Sequence, residues 1–379
     1  MARSTTPQSP GDLILIALFA VLLAAPALLA LTGHAGFDTA FIMTTEQRRP
    51  FIAPPVTSGA LASGGWERDF ERQIADAFPL RKYLIEGYDY TKFSGLRDSS
   101  SGFVLRGRDG WLFLASDERE YLDGGPGDAV IAHLADVYAA RARWCAQHGI
   151  AYVFLLAPNK STIYPQFLPP GITLVAPSGA DRLIPRLRER GVRVADPRPA
   201  LRDAAGRGDV YTRRDTHWND AGAYLAYRAA LAALPRDRIG PALEPAALHP
   251  RIDLGDADLL RLSGVSGLVQ NSWLHYDFAR RSRDVDEPLD PADPELAGFA
   301  RHVTVIDRSR FPKAVIFGDS FSEQIRPFFG ESFRHVVNLH HIRPIDPQFD
   351  TRFLEREKPD VVIQQLVERG LVSGAEFKP

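Results

Sequence analysis

Cysteine is almost missing from this chain, with Cys145 the single one in 379 residues. That excludes an internal disulfide framework and cysteine-rich zinc centres. Cys145 lies in a helix-like stretch, 137–145, where a small buried apolar residue is expected rather than a nucleophile. Excess charge is missing as well. Lysine and arginine number 45 and acidic residues 47, so the net charge of −2 gives no general attraction for nucleic acid, and no nucleic-acid-binding motif is present. His340-His341 stand together without a carboxylate partner in register, so neither a metal centre nor a cofactor is expected.

A long apolar run is present, from Leu13 to Leu31, broken by Pro26. At about 1.5 Å per helical residue it matches the thickness of a bilayer core. A cleaved signal peptide has an apolar centre of about 7–15 residues, so length favours an uncleaved anchor over residues 1–33, spanning a membrane through 13–32. Arg3 and the terminal amine place the N-terminus in the cytoplasm and the body outside it. Residues 34–65, rich in Gly, Pro, Ser and Thr, read as a linker. The folded domain is expected over 66–379. Trp66, Phe70, Ile74 and Phe78, four apart, open a helical preface over 66–100.

From about residue 103 strands alternate with helices. A hairpin turns at Asp109-Gly110, a helix over 128–147 leads to a strand at 151–156, and later strands are expected at 302–306, 314–317, 336–339 and 361–365. The pattern predicts an α/β fold with a mostly parallel sheet flanked by helices. Residues 240–300, rich in Asp, Pro and Arg, read as an irregular insertion.

Two segments carry chemistry. Asp215-Thr216-His217-Trp218 offers an acid and a base, and Gly318-Asp319-Ser320-Phe321 offers a hydroxyl at a strand–turn–helix corner. A serine needs an imidazole to take its proton and a carboxylate to fix the imidazole's tautomer. Asp215 and His217 meet either on one side of an extended strand or in a loop where the carboxylate curls onto Nδ1. The Ser320 amide is the expected oxyanion donor, with Asn159 and Asn338 as candidates to assist it. Trp218 and Tyr164 could line a sugar cleft or pack in the core. Lys160, Arg326 and Arg369 could meet an anionic polymer.

These segments resemble the alginate O-acetyltransferase family, the AlgJ and AlgX proteins, whose catalytic domain is SGNH-hydrolase-like. The resemblance runs from Trp66 to Leu371 through Gly107-Arg108-Asp109-Gly110-Trp111, Pro158-Asn159-Lys160-Ser161-Thr162, the Asp215 and Ser320 segments, and Glu368-Arg369. It implies a triad of Asp215, His217 and Ser320 acting in the periplasm. It also implies a secreted polysaccharide as acceptor and a membrane-bound O-acyltransferase as supplier of acetyl groups. Two other readings stay open: an extracytoplasmic acetylesterase using the same triad, and a non-catalytic polysaccharide-binding component of a secretion complex.

Overall fold

Strands that are apolar without interruption set the centre of the molecule. Ala151–Ala157 and Val361–Val367 are buried along their whole length, as strands covered on both faces must be. The computed structural model describes residues 10–29, 31–32, 36–96, 99, 101–116, 125–285, 299–307, 310–341 and 349–377. Its strands are β1 (Val104–Arg106), β2 (Leu112–Leu114), β3 (Ala151–Ala157), β4 (Val194–Ala195), β5 (His249–Gly255), β6 (Asn271–Asp277), β7 (Arg283–Val285), β8 (Phe299–Val305), β9 (Lys313–Gly318), β10 (His335–His341) and β11 (Val361–Val367). Seven of them form one sheet in the order β4-β3-β11-β9-β10-β8-β7. The run from β4 to β10 is parallel. β8 joins β10, and β7 joins β8, antiparallel.

Successive side chains of a strand point to opposite faces. Val153, Leu155 and Ala157 therefore enter one apolar layer, and Tyr152, Phe154 and Leu156 the other. The Ala-rich helix Asp220–Ala233 packs in the first layer, and the helices Asp128–Gln147 and Gly179–Glu189 in the second. This is the expected α/β class with a mostly parallel sheet flanked by helices. The antiparallel edge consists of β8, which overlaps the strand expected at 302–306, and β7, which comes from the stretch read as irregular. The weak periodicity of that stretch hid a β5–β6 ladder, β7 and the start of β8, while residues 286–298 lie outside the described set.

The predicted hairpin is present as β1 and β2. Asp109 (φ 53°) and Gly110 (φ 78°) both take left-handed backbone at its turn, which is why an Asp-Gly pair serves there.

The chain divides into two compact units, residues 1–101 with 261–268, and residues 102–260 with 269–379. In the first, the preface helices form at Gly65–Asp76 and Arg81–Tyr90, yet Phe70 and Ile74 of the expected stripe stay 53% and 49% exposed. Part of the stretch read as linker, Glu46 to Phe51, is bonded to these helices. Asp76 accepts from Arg48 Nη1 at 2.7 Å and from the Phe51 amide at 2.8 Å, and Arg81 pairs with Glu46 at 2.6 Å. These bonds tie the segment to the preface helices. The apolar run is a helix, Pro10–Leu29, whose Leu13 to Phe19 face outward. Several of its side chains fall outside the described set, and among the described residues no helix is long and apolar enough to cross a membrane. The anchor thus remains an expectation from sequence.

Candidate active site

The Asp215 segment is a tight loop. Tyr211 and Trp218 pair across its base, Thr212 N–H donates to His217 O at 3.2 Å, and Asn219 N–H to Val210 O at 3.1 Å. Asn219 then caps the helix Asp220–Ala233 by accepting from the Ala221 and Gly222 amides. Gly222 is required by close approach, since a Cβ there would collide with the Val210 carbonyl. Of the two geometries open to Asp215 and His217, the loop is the one formed. Asp215 Oδ1 accepts both the His217 amide at 3.0 Å and His217 Nδ1–H at 2.7 Å. With Nδ1 donating, Nε2 is left to accept, and it stands 2.7 Å from Ser320 Oγ.

Ser320 follows β9 on a corner held by its neighbour Asp319. Asp319 Oδ1 accepts from the Phe321 amide at 2.9 Å and from Gln365 Nε2 at 2.9 Å, and its Oδ2 accepts from the Val367 amide at 2.6 Å. The Asp319 amide donates to Gln365 Oε1, and the Ser322 amide to Asp319 O. Among the described residues the Ser320 amide has no such acceptor, so it is the amide of this turn left for an oxyanion.

Asp258, from the stretch read as irregular, completes the acid end. Its amide donates to Asp215 Oδ2 at 2.8 Å, its Oδ1 accepts the Thr216 amide at 2.8 Å, and Thr216 Oγ1 donates to its Oδ2. Nothing local marks it, because an Asp at the head of a five-residue helix is unremarkable in sequence. Burial and the charge of Asp215 push Asp258 above the usual carboxylate range. Burial also works against the Asp215 anion, but the hydrogen bond and charge of His217 hold it below that range. For His217, burial favours the neutral ring. The hydrogen bond and charge of Asp215 and the charge of Asp258 outweigh that and raise it, with Arg369 opposing.

The other sequence candidates divide. Lys160 is buried, and its Nζ donates to the carbonyls of Thr212 (3.3 Å), Arg213 (3.1 Å) and Asp215 (2.7 Å), so it fastens the loop and does not reach for a polymer. Tyr164 and Trp218 are core. Tyr164 Oη accepts the Val210 amide at 2.7 Å, and Trp218 Nε1 donates to Phe321 O at 3.2 Å. Asn338 spends its Nδ2 on Glu323 Oε1 at 3.0 Å, which removes it from the oxyanion candidates. Asn159 keeps that capacity: Oδ1 is fixed by the Arg369 amide at 3.1 Å, and Nδ2 is buried with no partner among the described residues. Arg326 pairs with Asp284 at 2.6 Å. Arg369 lies over the Phe321 ring at 5.4 Å, and Phe321 stands 4.8 Å from the His217 ring. Glu368 joins the Pro158-Asn159 segment to the end of β11 by accepting the Asn159 amide at 3.0 Å. A cavity of about 490 Å³ borders the loop at Tyr211 to Arg214 and is also lined by Asn271 and Leu274, but not by Asp215, His217 or Ser320.

Residues 104–366, well over half of the chain, match the family described as the SGNH hydrolase-like domain of acetyltransferase AlgX. The chain belongs to this AlgX acetyltransferase family. It is 28% identical over 182 residues to the probable alginate O-acetylase AlgJ of Pseudomonas putida, covering 47% of this chain and 46% of that one. It is 27% identical over 221 residues to the AlgJ of Azotobacter vinelandii, covering 56% and 50%. The chain thus spans about half the length of these curated relatives. Among solved structures it is similar to Bacillus cereus PatB1 with a sulfonyl adduct, at a TM-score of 0.54 and 16% identity, over 73% of this chain and 100% of that one. That likeness concerns the fold.

Proposed function

We propose that this AlgX-family chain moves an acetyl group through an ester on Ser320 to hydroxyls of a secreted polysaccharide, alginate or a related exopolysaccharide. The observation that carries the proposal is the continuous chain from Asp215 through His217 to Ser320, with both hydrogen bonds at 2.7 Å. His217 Nε2 takes the Oγ proton as Oγ bonds to the acetyl carbonyl carbon. The tetrahedral oxyanion faces the Ser320 amide, then collapses, and the donor's leaving group departs with the proton from His217. A sugar hydroxyl then gives its proton to His217 and attacks the ester, and Ser320 Oγ leaves with that proton. Asp215 steadies the imidazolium at both stages.

The same reading assigns the acetyl supply to a membrane-bound O-acyltransferase, and places the chain at the inner membrane through residues 13–32 with its folded units in the periplasm. The apolar run of residues 13–31 supports the membrane placement, and the relatives' name, alginate O-acetylase, supports the acetyl chemistry. The test supplies the full chain with an activated acetyl ester, with and without oligosaccharides, and follows the products by mass spectrometry. Acetylated sugar is the expected product, and Ser320→Ala should abolish it without loss of fold. Acetate alone in the presence of every acceptor would assign an esterase, and no turnover by the wild-type chain would leave the binding-component reading.

A further inference from the structure

Strand periodicity places Val336, Asn338 and His340 of β10 on one face of the sheet. His302 of β8 is the cross-strand partner of Asn338 and shares that face. The helix Ser322–Phe329, which follows the nucleophile corner, packs there and brings Glu323 down between the two histidines. Glu323 Oε1 stands 3.5 Å from His302 Nε2 and 3.5 Å from His340 Nδ1. Those separations are long for hydrogen bonds from a ring N–H to a carboxylate. They fit another relation. Two donors each about 2.0–2.1 Å from a tetrahedral zinc are about 3.3–3.4 Å apart.

We propose that His302, Glu323 and His340 form a binding site for a divalent transition metal, zinc by its donor set. Two imidazoles and one carboxylate are a known zinc set that keeps a coordination position open. The site is reachable, since His302 is 42% exposed. Its surroundings fit an outer shell. Asn338 Nδ2 donates to the same Oε1 at 3.0 Å and orients the carboxylate, while Asn338 Oδ1 is buried and has no partner among the described residues, an acceptor that a metal-bound water would satisfy. Arg326 stands 3.7 Å from the other oxygen, Oε2, and leaves Oε1 to the metal face. His340 is in register with Gly318, two residues before Ser320, so the metal would sit one strand from the nucleophile, at the carboxyl ends of β9 and β10.

The loop of Asp215, His217 and Asp258 also brings three potential ligands together, so the experiment must separate the two clusters. The full chain, stripped with a chelator, is titrated with cobalt(II) and then zinc. One equivalent of cobalt should give the strong visible bands of a four- or five-coordinate ion, and zinc should displace it. The bands should persist in His217→Ala and be lost in His340→Ala and in Glu323→Gln, which keeps the side chain's shape. Asn338→Ala should weaken binding by about 10–100-fold, as loss of an outer-shell partner does. Absence of bands from the wild-type chain would overturn the site. So would bands that survive His340→Ala and Glu323→Gln but vanish with His217→Ala.

Discussion

At the residue scale the proposed mechanism sets two demands on His217 against each other: it must be neutral to accept the Ser320 proton, and two carboxylates press it toward the charged form. Because those carboxylates raise its pKa, activity should fall as pH drops through that raised value. Asp258→Asn removes a negative group 3.7 Å from Nδ1, so the acidic limb of kcat/KM should move to lower pH. An Asp258 that served only to shape the loop would leave the limb in place, and a pH–rate profile distinguishes the two. Asp215→Asn should instead cost rate at every pH, on the order of 10⁴-fold by analogy with serine triads. Asp215, His217 and Ser320, which the structure joins by hydrogen bonds, could be picked out in sequence as a proposed triad because each stands in a short segment with its own punctuation. Asp258 was not, because its role exists only where two loops meet.

At the scale of elements, the acid loop and the nucleophile corner are each held by groups buried behind them. Lys160 gathers three carbonyls of the loop, with the rings of Trp111 and Phe113 at 5.7 and 5.3 Å from its Nζ. Lys160→Met keeps the bulk but strands those carbonyls. A charge-assisted hydrogen bond is worth about 1.5–3 kcal/mol, so denaturant unfolding should show a loss of about 2–3 kcal/mol together with a lower kcat. Gln365 plays the matching part for the corner, both accepting from the Asp319 amide and donating to its carboxylate. A signal for it was present, since two glutamines in the apolar strand Val361–Val367 must find partners once buried. What the strand could not indicate was which partner. Lys160 misled for the same reason: a lysine in a polar segment reads as surface until the chain closes over it.

At the scale of the molecule, its larger unit rests on a sheet covered on both sides, and neighbouring residues of β3 test this directly. Phe154 and Leu155 are both fully buried, in opposite layers. Leu155→Ala should cost about 2–5 kcal/mol and Phe154→Ala about 3–5 kcal/mol, the usual range for cavities in packed cores. Chemical denaturation of each variant checks it. A cost under about 1 kcal/mol at either position would mean that one face of the sheet is open.

Local spacing alone determined the class of this protein: apolar runs of strand length, glycines that stop helices, an Asp-Gly turn, and two short segments able to hold a triad. Each of these depends on residues a few positions apart, and the chain encodes such relations directly. The order of the strands, the antiparallel edge drawn in part from an unpromising stretch, the attachment of residues 46–51 to the preface helices, and the meeting of His302, Glu323 and His340 came only with tertiary structure. They depend on which distant segments share a face once apolar surface is buried, and that choice belongs to the packed chain as a whole.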